Sequence, residues 1–107
     1  MGGVIYLMKY IDDVVKKICG LFDVERIYLF NKKTDCFGNI RGFKICVVLD
    51  CDDKNDVAKR IYLEVPSDIP YDVVVYTANE WELMKDKVGT FAKTITETGV
   101  LLYESSK

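Results

Sequence analysis

The sequence predicts an α/β (α+β) domain built on a mixed β-sheet of three to four strands, with helices packed mainly on one side. Three observations carry this expectation. Helical stripes alternate with short apolar runs, two of those runs are apolar on both faces apart from a single charge, and one strand–loop–strand segment interrupts the alternation early in the chain. A run that is apolar on both faces belongs inside a covered sheet. The 107 residues suffice for one core, so residues 1–107 are read as a single domain.

The elements follow in order. Val4, Leu7, Met8, Ile11, Val14, Val15, Ile18 and Leu21 recur at spacings of three and four, which predicts an amphipathic helix ending near Gly20. Residues 26–30, Arg-Ile-Tyr-Leu-Phe, form a short aromatic and β-branched strand running into the polar stretch Asn31 to Asp35. That stretch, continued through Gly42, is expected to be a loop. Residues 43–49 read as a central strand with Lys44 as its odd residue. Val57, Ala58, Ile61, Tyr62 and Val65 give a second helical stripe that must end before Pro66.

The run from Tyr71 to Tyr76 is the third strand, with Asp72 as its single charge. Thr77 and Glu80 then have capping-box spacing, because a Thr hydroxyl and a Glu carboxylate three residues on can satisfy free amides at a helix start. Trp81 and Met84 are the expected buried side of that helix, and Trp81 is read as a core residue before a base-stacking one. A last helix around Phe91, Ala92 and Ile95 stops at Gly99, and residues 100–103 form a final short strand or extended tail.

Composition excludes several classes. Fifteen Lys and Arg against seventeen Asp and Glu leave a net charge of −2, which provides no global field for a polyanion, so nucleic acid is not an expected partner. The N-terminal stretch has no basic segment before an uninterrupted apolar run, which predicts neither a signal peptide nor a membrane span. Tyr6 stands where a myristoylation motif needs Ser or Thr. Four cysteines without a C-x-x-C pair, and no histidine, point to reduced thiols and a cytoplasmic setting, with no metal site expected. Thiol catalysis lacks a histidine to activate it. Seven tyrosines, Tyr6, Tyr10, Tyr28, Tyr62, Tyr71, Tyr76 and Tyr103, supply packing area, and an exposed subset could serve an interface, including that of a homodimer.

The order helix, strand ending Leu29-Phe30, basic stretch, strand, helix, strand beginning Tyr71-Asp72-Val73 and Thr-capped helix resembles the minimal nucleotidyltransferases of the polymerase-β-like superfamily, over nearly the whole chain. The tail from Thr96 to Glu104, with a helix finishing at Gly and an apolar stretch with Tyr, is similar as well. In that family the first strand is followed by Gly-Ser and the next opens with Asp-x-Asp. Glycine lets the backbone approach a triphosphate and serine offers its phosphates a hydroxyl. Carboxylates alternating on a strand share one face, where a third from a neighbouring strand helps them hold magnesium.

Carried onto this chain, the Gly-Ser positions are Asn31 and Lys32, the Asp-x-Asp positions are Gly42 and Lys44, and the third carboxylate is Asp72. Only Asp72 keeps its type. The cluster Asp50, Asp52 and Asp53 cannot substitute, because at about 3.3 Å per residue it lies roughly 20 Å along the strand from position 44. Asp35 stands alone among Lys32, Lys33, Arg41 and Lys44, and is expected to pair with one of those cations.

The resemblance therefore implies a degenerate member, a pseudoenzyme without catalytic residues or a required cofactor, with Asp72 as a vestigial carboxylate. It would act through a partner protein, of the helical HEPN type that accompanies family members of this size, or through a nucleotide or other phosphate-bearing ligand. Candidate ligand residues are Asn31, Lys32, Lys33, Arg41, Gly42 and Lys44. A salt bridge between Lys44 and Asp72, replacing the lost metal site, is the leading expectation for that pair. The alternative is an active minimal nucleotidyltransferase that uses Asp72, Mg2+ and ATP to move a nucleoside monophosphate.

Overall fold

Residues 43–49 become the strand on which everything else is assembled. Ile45, Cys46 and Val47 are fully buried and Val48 and Leu49 nearly so, which requires apolar cover on both faces of the sheet. The computed structural model describes residues 2–105, with side chains from residue 9 onward. Its elements are α1 (Gly2–Leu21), β1 (Val24–Thr34), β2 (Ile40–Leu49), α2 (Lys54–Glu64), β3 (Tyr71–Thr77), α3 (Ala78–Met84), α4 (Phe91–Thr98) and β4 (Val100–Glu104). They form a four-stranded sheet of order β3-β2-β1-β4. β2 and β3 run parallel, with α2 as their crossover, while β1 pairs antiparallel with β2 and β4.

The strand pleat divides the core into two layers. On one face Ile27, Leu29, Ile45, Val47 and Val75 meet Ile11, Val14, Val15 and Ile18 of α1 and Val57 and Ile61 of α2. On the other face Tyr28, Cys46, Val48 and Tyr76 meet Trp81 of α3 and Ala92 and Ile95 of α4. The two longer helices thus share one side, and two short helices close the central part of the other. The side chains of Val4, Tyr6, Leu7 and Met8, expected on the α1 stripe and among the tyrosines, lie outside the described residues.

Caps explain where the later helices begin. Asp53 accepts from the amides of Asn55 and Asp56 at the start of α2. The capping box of α3 is reciprocal: Glu80 N–H donates to the Thr77 hydroxyl at 3.1 Å and Thr77 N–H to the Glu80 carboxylate at 3.0 Å. Lys54 holds the same carboxylate at 2.8 Å, so the first residue of α2 is tied to α3 across the end of the sheet. Thr90 caps α4 by accepting from Lys93 N–H.

The structure corrects the sequence reading at two places. The stretch 31–42 is mostly strand, because β1 runs to Thr34 and β2 starts at Ile40, leaving only residues 35–39 as a turn. Once Leu29 and Ile45 are paired, the antiparallel ladder continues to satisfy backbone groups whatever the side chains, and polar residues are tolerated where both faces meet water. The end of α1 falls where expected, at Leu21, one residue past Gly20. Gly99 does end α4, but not through a left-handed backbone: its φ is −79°. Crowding is what demands glycine there, because a Cβ would lie 2.6 Å from the Ile95 carbonyl oxygen and 3.2 Å from that of Leu29.

Those two glycines give opposite expectations. Gly99→Ala forces two backbone carbonyls apart and should destabilise the fold by about 2 kcal/mol. Gly20→Ala meets nothing within 4 Å on an exposed helical position, and should stabilise it by up to about 1 kcal/mol. Urea unfolding of the two variants beside the parent chain measures both signs.

Candidate functional site

The β1–β2 hairpin outruns the helices that cover its base, and the candidate residues stand where the cover stops. Asn31 on β1, Lys44 on β2 and Asp72 on β3 fall in one transverse row across three strands. By the pleat this row lies on the face covered by α3 and α4, one position beyond Cys46 and Val74. The next row on the same face pairs Lys33 with Gly42. The intervening row, Lys32, Phe43 and Tyr71, turns the other way, and Phe43 and Tyr71 stack there with ring centres 5.3 Å apart.

These positions border a small cleft of about 110 Å³ lined by Asn31, Lys32, Lys33, Arg41, Gly42, Lys44 and Asp72, together with Phe43, Pro70 and Tyr71. All seven positions chosen from the sequence are therefore gathered at one place. The last three were not chosen. Pro70 accepts from Phe43 N–H and lies beside Gly42, where a Cβ would come within 3.3 Å of its carbonyl oxygen. No local motif marks Pro70, because its position follows from the parallel register of β2 and β3.

Lys44 and Asp72 are neighbours, but the expected salt bridge between them is not formed: no ion pair among the described residues includes either one. Asp72 is exposed and Lys44 only half-buried, so both charges keep water and no desolvation penalty compels them to pair. Lys32 and Lys33 are exposed and likewise make no ion pair. Arg41 differs. Its guanidinium holds the Asp35 carboxylate at 3.1 Å, the pairing expected of Asp35.

Asp35 also builds the turn. Its carboxylate accepts from the amides of Phe37 at 2.9 Å and Asn39 at 3.0 Å, and Gly38 takes the left-handed backbone, φ 84°, that the turn needs. The Asn39 amide foremost, then the Phe37 amide, the Asn39 side chain and Arg41, hold the Asp35 carboxyl below its ordinary range against a smaller opposing effect of desolvation. The arm therefore has a local anchor independent of the core.

Asp50, Asp52 and Asp53 lie past the opposite end of β2, and Asp53 is used as the α2 cap. Among the described residues no group of three or more Cys, Asp or Glu side chains is placed to hold a metal ion. Cys19, Cys36, Cys46 and Cys51 are all free thiols, and burial pushes the Cys46 thiol up to about 12. Trp81 is buried between Tyr28 and Tyr76, with ring centres at 5.4 and 5.3 Å, which makes it core. Among the described helices none is long and apolar enough to cross a membrane.

Comparison with protein-family models, with curated proteins and with solved structures finds no match. The chain is an α/β domain with a mixed four-stranded sheet and packed helices, an arrangement consistent with a generic nucleotidyltransferase-like fold.

The arm should respond to acid before the core does. A carboxyl held low in the folded chain contributes stability above its unfolded value, near 3.9, and loses it as pH falls through the folded value. The amides of Phe37 and Asn39 should therefore shift and exchange faster only below about pH 4. Asp35→Ala should produce the same loss at neutral pH while the amides of Cys46 and Val47 remain protected, as followed by two-dimensional NMR.

Proposed function

We propose that this chain is a degenerate nucleotidyltransferase-like domain of the cytoplasm that binds a phosphate-bearing ligand without metal-dependent catalysis. The supporting observation is the row of Asn31, Lys44 and Asp72 at the mouth of a cleft where Lys32, Lys33 and Lys44 have no ion-pair partner among the described residues. Lysine ammonium groups bind phosphate as point charges. With Lys33 and Lys44 on one face and side-chain-free Gly42 opposite Lys33, a phosphate has room to approach both cations. The Asn31 amide can donate a further hydrogen bond beside Lys44.

The same geometry counts against a two-metal transfer site. An aspartate at position 42 would crowd the Pro70 carbonyl, and at position 44 a fixed cation stands where the family keeps a divalent ion. Among the described residues that line the cleft, Asp72 is the one carboxylate. Point charges can hold a phosphate, but they do not align a nucleophile with a leaving group.

Asp72 separates the two readings by sign. In a metal-free anion site its charge opposes the ligand, so Asp72→Asn should tighten binding of pyrophosphate or ATP measured by calorimetry in the presence of a chelator. Lys44→Ala and Lys33→Ala should each weaken it about tenfold, or ~1.4 kcal/mol. Tight binding that appears only with magnesium and disappears in Asp72→Asn would instead establish the active transferase.

A further inference from the structure

The two edges of the sheet are finished differently. At the β3 edge the Val73 amide donates to the Tyr62 hydroxyl of α2 at 2.8 Å, and Asp72 adds an exposed charge near the start of the strand. These are the devices by which a monomer blunts a strand edge. β4 has neither. It pairs with β1 on its inner side, and among the described residues no strand and no side chain bonds its outer backbone groups at residues 100–104. It carries no Lys or Pro, and its one charge, Glu104, is at its end and held by Arg26 at 3.5 Å.

The side chains on this edge are apolar on both faces. Val100 sits opposite Leu29 and Leu101 opposite Tyr28, residues of the two separate core layers, yet Val100 is 56% and Leu101 44% exposed because the helices do not reach over them. Only another strand alongside would cover both and satisfy the backbone.

We propose that β4 is a dimerisation edge, pairing antiparallel with β4 of a second copy about a two-fold axis at Leu102, so that two four-stranded sheets become one. The strand is self-complementary in this register. Leu102 meets its own copy, Leu101 meets Tyr103, and Val100 meets Glu104. The two Glu104 carboxylates fall at opposite ends of the new ladder, each beside its own Arg26, whereas an in-register parallel pairing would set them against each other. Charge placement thus selects the antiparallel copy, and an isologous contact closes at two chains instead of growing into a fibre.

Sedimentation of the full chain over a concentration series, with hydrogen exchange on the same samples, tests this. The mass should rise to twice 12.3 kDa, and exchange at 100–104 should slow in step while the β3 edge is unchanged. Leu101→Lys, at an already exposed position, should weaken the dimer at least about tenfold while leaving the Tm of the dilute, monomeric chain unaltered, since charge on a paired apolar strand costs more than the ~1.4 kcal/mol of that factor. Val100→Lys places a cation opposite the second copy's Glu104 and should bind no more weakly than the parent. A chain that keeps its single mass at every concentration overturns the proposal. So does a dimer whose 100–104 amides exchange as fast as in dilute solution, or one that Val100→Lys breaks as readily as Leu101→Lys.

Discussion

A strand buried on both faces can stay in place only if something apolar covers each side along its whole buried length. β2 is that strand, and the rest of the molecule follows from covering it. The longer layer of α1 and α2 reaches as far as Phe43 and Ile40, so one face of the hairpin is closed almost to its turn. The layer of α3 and α4 is short, and it ends over Cys46 and Val48. One pleat further, at Lys44, the strand emerges from beneath its cover. A lysine is tolerated there because the position is only half-buried, and a long side chain can keep its ammonium in water from such a place. The candidate site is therefore a consequence of unequal helical cover, and its row of three residues follows from strand register.

That origin explains which features could be read from the sequence. The stripe at Ile11, Val14, Val15 and Ile18, the apolar run around Val47 and the box of Thr77 and Glu80 are local signals, and each names its element before any tertiary contact is considered. The neighbourhood of Lys44 and Asp72 was legible only through the resemblance to a known arrangement, since nothing local says that residues 28 positions apart share a row. The extent of β1 and β2 was not legible. Asn31, Lys32 and Lys33 have the composition of a loop, and they are strand because the hairpin ladder begun at Leu29 and Ile45 carries them along. The role of Gly99 was read correctly as a helix end but for the wrong reason, because the close approach of two carbonyls appears only when α4 and β1 are brought together.

Charge behaves at this site as exposure requires. Arg41 and Asp35 pair because the turn has already fixed the carboxylate with two amide donors, so the guanidinium adds to an ordered group at small entropic cost. Lys44 and Asp72 have no such pre-ordering and remain separate although they are closer to the core. Proximity in register is thus a poor guide to ion pairing at an exposed row, and a better guide to what an incoming ligand would meet: a cation, an amide and a carboxylate side by side.

On the proposed reading, a lysine standing where a divalent ion would be held changes what the scaffold can do, and does so for physical reasons. A metal held by carboxylates bridges protein and phosphate with several fixed directions, whereas an ammonium on a flexible stem offers one charge and little geometry. The substitution keeps attraction for phosphate and gives up control over the line of attack. A Cβ at position 42 would come within 3.3 Å of the Pro70 carbonyl oxygen, so a carboxylate there would require the start of β3 to shift slightly. A carboxylate placed at position 44 alone would therefore still lack a neighbour at position 42, where the Pro70 carbonyl oxygen would have to give way by a few tenths of an ångström.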